Sequence, residues 1–132
     1  MLNKAERELA RFNQEFSIDN LFNFFVTAYH IQDYIRANAA VPQSALDSFL
    51  QDLDIKACHD LCDKGKHLKL TKRPDPVTHM ANGCFSGAAF GEVAFGEGER
   101  WTLLYNDRAV DIHSLPARVI SKWQQFFERH GL

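Results

Sequence analysis

The stretch Asn20–Ala39, NLFNFFVTAYHIQDYIRANA, decides the architecture of this 132-residue chain. Leu21, Phe22, Phe25, Val26, Ala28, Tyr29 and Ile35 recur at helical spacing but do not fall on one narrow stripe. A single stripe suits a helix lying on the edge of a core, whereas apolar residues on several sides require a helix surrounded by others. The pattern predicts one central helix of a bundle, opened by Asp19 or Ser17 as its N-cap.

The flanking sequence supplies the neighbours. Ala5, Leu9, Phe12 and Phe16 predict a first helix over about Lys4 to Phe16, with Asn3 and Glu6 in the positions of a capping box. After Pro42, Ser44 and Asp47 predict a fresh N-terminus for a helix through Leu46, Phe49, Leu50 and Leu53, with a kink or break near Asp54 and continuation to about Leu70. Gly65 inside it costs about 1 kcal/mol against alanine and suggests close approach of another helix or a ligand. KRPDPVTHMANG, with prolines on both sides of Asp75, reads as a loop. The period then changes. Phe85, Val93 and Phe95 share one parity, Trp101, Leu103 and Tyr105 share another, and GEGE and YNDR stand where hairpin turns belong. A last helix follows, capped by Ser114, with Pro116 in its first turn, a face of Val119, Ile120, Trp123, Phe126 and Phe127, and Gly131 to stop it.

The expected fold class is α+β, mainly α. A helical bundle over residues 1–70 and a C-terminal helix over 114–130 enclose a small three-stranded antiparallel β-meander over 84–112, all in one domain. The last helix, with Trp101 and Trp123, is expected to cover the sheet. Eleven phenylalanines indicate a packed interior. A net charge of −2 gives no global attraction to nucleic acid or anionic membrane, so any such attraction must be local. The N-terminus MLNKAERELARF lacks the apolar region of a signal peptide, and the longest apolar run is too short to span a bilayer. Three cysteines, Cys58, Cys62 and Cys84, read as free thiols. The expected setting is therefore the cytoplasm, with no membrane partner.

Chemistry concentrates in Cys58–Arg73, CHDLCDKGKHLKLTKR. On a helix, His59, Asp63 and His67 fall at i, i+4 and i+8 and form a polar stripe, while Cys58, Leu61, Cys62, Gly65 and Leu68 face the core. His30 and Asp33, at i and i+3 in an otherwise apolar setting, need partners, and the nearest are each other or this neighbouring helix. His30, Asp33, His59, Asp63 and His67, with Asp60, are thus expected to gather. Three readings compete for them. One is a buried polar network that fixes helix register. Another is a metal site for a metal-dependent hydrolase, although the paired Glu and Glu-x-x-His of two-metal bundles does not occur. The third is acid–base chemistry on a phosphodiester, with His67 as the acid or base beside Asp63 and His59, and Lys64, Lys66, Lys69 and Arg73 as phosphate contacts. The same lysines also serve simply to solvate a helix C-terminus. No cofactor is expected. His79, His113 and His130 read as surface or helix-end histidines.

DLCDKGKH, preceded by FFVTAYHIQDYI, resembles the HEPN superfamily of small bacterial helical domains. The resemblance covers under half the chain. It implies RNA binding or a metal-independent ribonuclease of a toxin or defence system, or else a non-catalytic dimerising partner. The family's catalytic motif is an arginine, a polar residue and a histidine. His67 would match the histidine and Asp60 or Asp63 the polar residue. His59 or Lys64 stands where the arginine would be sought, and neither carries a guanidinium fork. The resemblance therefore implies RNA, a homodimer or a protein partner as candidate associates.

Overall fold

A computed structural model describes residues 1–67, 78–82, 101–105 and 108–132. Among the described residues six helices carry the fold: α1 (Leu2–Gln14), α2 (Ile18–Tyr29), α3 (Ile31–Ala37), α4 (Gln43–Phe49), α5 (Leu53–His67) and α6 (Leu115–His130). α2 is the hub and packs on α1, α5 and α6. Leu21, Phe24, Phe25 and Ala28 are buried at helical spacing, and Val26 packs partly against the same core. Ala5 and Phe12 close it from α1, Ile55, Ala57, Cys58 and Cys62 from α5, and Val119, Ile120, Trp123 and Phe126 from α6.

Ser17 caps α2 as expected, its Oγ accepting from the Asn20 N–H at 3.1 Å. The single long helix expected over this stretch is two helices. His30 interrupts it with ψ opened to −3°, and Ile31 restarts it. Backbone bonding is maintained across the break, with the His30 N–H on the Val26 carbonyl (3.2 Å) and the Tyr34 N–H on the His30 carbonyl (3.3 Å). α3 stops at a left-handed Ala39 (φ 47°), where glycine is the usual residue.

The other expected caps need correction. Asn3 lies inside α1, which begins at Leu2 without a side-chain cap. α4 starts after Pro42, and Asp47 instead accepts from Gln43 (2.7 Å) and Arg36 (3.4 Å). Ser114 stands at the N-cap of α6 but makes no capping bond. Its hydroxyl donates to the Asp111 carbonyl (3.1 Å) and accepts from Arg118 (2.7 Å). The break expected near Asp54 is real, and the cap is Asp52, whose Oδ1 accepts from the Asp54 N–H at 2.9 Å. Gly131 ends α6 in the left-handed conformation, as expected.

The expected fold class is corrected as well. The bundle is the fold, and a meander over 84–112 covered by the last helix is not what forms. Among the described residues strand pairing is confined to β1 (Thr78–Asn82), β2 (Trp101–Tyr105) and β3 (Arg108–Asp111), antiparallel in that order, with Leu103 opposite both Met80 and Val110. The first strand comes from the proline-flanked segment read as a loop. Residues 83–100, which include GEGE, lie between it and β2 and outside the described residues. The strand expected around Phe85 to Phe95 lies outside the described residues. Trp123 does not cover a sheet. It is buried in the helical core, 4.6 Å from Phe49 and 5.9 Å from Phe126 by ring centroid. No described helix is long and apolar enough to cross a membrane.

Ion pairs tie the start of α5 to α6. Arg118 donates to both oxygens of Asp54, from Nε at 3.2 Å and from Nη2 at 3.1 Å. Lys122 Nζ lies 2.6 Å from Asp52 and 3.1 Å from Asp54. Burial pushes Asp54 toward its neutral form, but hydrogen bonds from Arg118 and Lys122, with their charges, prevail and hold it below the usual carboxylate value. For Lys122 burial opposes the charge, and the Asp52 and Asp54 contacts raise it above the ordinary lysine value. A depressed carboxylate stabilises the fold above its unfolded value and loses that contribution as pH falls through the depressed one. Chemical denaturation at stepped pH should therefore show stability declining as pH drops below about 4, the ordinary aspartate value. The decline should be shallower in Asp54→Asn.

Candidate functional site

The helix break places the site. Tyr29 is the last residue of α2, and His30 occupies the interruption. Ile31 and Ile35 anchor α3 in the core, so Asp33 and Arg36 face outward. His30 Nδ1 and Asp33 Oδ2 share a hydrogen bond of 2.8 Å. Asp33 lies 4.0 Å from Arg36, which in turn reaches Asp47 at 3.4 Å.

α5 supplies the second half. Its inner face is set by Ile55, Cys58 and Cys62, all buried, with Leu61 packed beside them. The helical period then turns His59 and Asp63 to the flank of this face, where His59 Nε2 lies 3.4 Å from Asp63 Oδ2. The two halves meet at Tyr29. Its ring stacks on His59 with centroids 4.6 Å apart and planes at 14°, and it lies 5.1 Å from the His30 ring.

Four of the expected residues thus come together: His30, Asp33, His59 and Asp63. Asp60 is half-buried on the same helix. Lys64, Lys66 and His67 continue α5 in backbone, and their side chains lie outside the described residues, as do Lys69 and Arg73 entirely. Tyr29 packs against the core as its apolar setting implies, and the feature sequence reasoning missed is its contact with His59. The local signal, an aromatic ring adjacent to a histidine at the end of the apolar run, marks Tyr29 without marking that partner.

The expectation of a buried network needs correction. Side-chain exposure is 40% for His30 and 54% for Asp33, 35% for His59 and 22% for Asp63. Each pair closes within its own helix, and such i, i+3 or i, i+4 pairs contribute only about 0.2–0.5 kcal/mol. What they provide is two imidazoles oriented by carboxylates at a solvent-accessible junction, the arrangement that proton transfer uses. Among the described residues no three His, Cys, Asp or Glu side chains are grouped to hold a metal ion.

No protein-family model matches the chain, and neither does a curated protein or a solved structure.

The inner face of α5 is chemically quiet. Cys58 and Cys62 are free thiols, both buried, and burial followed by the neighbouring Cys62 pushes the Cys58 thiol well above its ordinary value. Thiolate is the reactive form, so Cys58 in the native protein should resist iodoacetamide at neutral pH and react in denaturant. Peptide mapping by mass spectrometry reads each cysteine separately. Rapid native labelling of Cys58 would contradict this packing of α5.

Proposed function

We propose that this chain binds RNA and cleaves it without a metal, as a ribonuclease of the HEPN-like type. The observation that carries the reading is the His59–Asp63 pair, part-exposed and stacked on Tyr29, on the helix whose sequence continues into the basic segment Lys64–Arg73. Asp63 orients the imidazole, and His59 moves the proton. His67 lies further along the same stripe and is the second acid–base candidate there. Lys64, Lys66, Lys69 and Arg73 hold the phosphate backbone and offset the charge that develops in the transition state. The basic run stands out against the net charge of −2, so RNA would be drawn to this end of α5 and not to the molecule as a whole. The alternative is a non-catalytic, dimerising accessory module, favoured by the lack of an arginine at the motif position that the family uses.

The test is incubation of the purified chain with total cellular RNA in EDTA, read on a gel beside a mobility shift. The wild type should cleave. His59→Ala should cleave about 100- to 10,000-fold more slowly, the range for loss of a general acid or base, and still shift RNA. His67→Ala shows whether that residue takes part, and Lys64→Ala with Lys66→Ala should weaken the shift and its salt dependence. Absence of both cleavage and shift would overturn the reading in favour of the accessory module.

A further inference from the structure

In the ribonuclease reading His59 moves one proton, and only a candidate, His67, stands for the other. Cleavage through the 2′-hydroxyl needs a base to take the hydroxyl proton and an acid to protonate the departing 5′-oxygen, and one imidazole cannot do both at the same moment. His67 is poorly placed for the second task, because its backbone lies two turns along α5 from His59, about 12 Å at 1.5 Å per residue. His30 is better placed. It and His59 both lie against Tyr29, at 5.1 and 4.6 Å between ring centroids, so the two imidazole centroids are less than about 10 Å apart. Like His59, it is part-exposed and has a carboxylate at one nitrogen, here Asp33 at 2.8 Å. It also occupies the only interruption between α2 and α3, where neither proline nor glycine accounts for the break.

We propose that His30, oriented by Asp33, is a second catalytic residue and works with His59 on one RNA phosphodiester. One imidazole removes the 2′-hydroxyl proton as O2′ attacks phosphorus. The P–O5′ bond breaks, and the other imidazolium delivers its proton to O5′. The products are a 2′,3′-cyclic phosphate and a 5′-hydroxyl, with no water or other reactant consumed, and DNA is not a substrate because it lacks the nucleophile. Tyr29 is the spacer that sets the distance between the two rings. This assignment rests on the ribonuclease reading above.

The experiment uses the full chain in EDTA and a short single-stranded RNA, in ordinary form and with sulfur replacing the bridging 5′-oxygen at one linkage. A thiolate leaves without being protonated, so the modified linkage has no need of an acid. On ordinary RNA, His30→Gln and His59→Gln should each lose about 100-fold or more. On the sulfur linkage one of the two variants, and only one, should return to within about tenfold of the wild type, and that one has lost the acid. Retained helical circular dichroism confirms folding. Should His30→Gln fail that check, Asp33→Asn, which keeps the imidazole, carries the same comparison. His30→Gln cutting ordinary RNA at the wild-type rate while His59→Gln is inactive would overturn the assignment and leave the ribonuclease reading intact. So would rescue of both variants, of neither, or of His67→Gln in place of His30→Gln. Wild type cutting neither RNA would overturn both readings together.

Discussion

Burial of α2 is the constraint on which the rest of the structure depends. Phe24 and Ala28 are fully buried, and Leu21 and Phe25 nearly so. Each large apolar side chain removed from water contributes about 1.5–3 kcal/mol, which is sizeable against the 5–15 kcal/mol net stability of a typical domain. No single neighbour can cover so broad a surface. α1, α5 and α6 therefore close around it, and the inner faces of those helices are dictated by what α2 presents. Once Cys58 and Cys62 are turned toward α2, with the Cys58 thiol 3.8 Å from the Phe25 carbonyl, His59 and Asp63 are turned away from the core interior. Tyr29, at the end of α2, then meets His59. The site follows from the packing of the hub.

The same dependence explains what was legible in the sequence. The phenylalanine-rich run and its extension beyond one stripe identified the central helix, because burial on several sides leaves a direct trace in residue type. The two faces of α5 were legible for the same reason, as was the pairing of His30 with Asp33, since i, i+3 neighbours on a helix meet whatever surrounds them. The break at His30 was not legible. It involves one opened ψ angle with backbone bonding maintained on both sides, and no proline or glycine marks it. Tyr29 does pack against the core, as its place in the apolar run implies, but nothing local in the sequence marks its contact with His59 on another helix.

Competing partners, some local and some distant, account for the other differences. Ser114 and Asp47 carry the right chemistry for N-caps, but arginines and a glutamine claim their oxygens first. Asp52 caps α5 while also holding Lys122 from seventy residues away. Trp123 suits a sheet cover by type, yet Phe49, on the short α4, offers a ring in the helical core. The pairing of β1 with β2 joins segments separated by residues 83–100, and local alternation holds no record of such a partner.

The central claim is that the hub brings two histidine–carboxylate pairs from different helices onto one tyrosine ring. The most direct measurement is a 13C-edited NOE experiment on the uniformly labelled chain. Tyr29 ring protons should show cross-peaks to the imidazole protons of both His59 and His30, with the His59 protons shifted by the stacked ring. A folded, well-dispersed protein in which Tyr29 shows cross-peaks to neither His59 nor the α5 backbone would contradict the account. α2 would then meet α5 in a different register, and the two pairs would not form a single site.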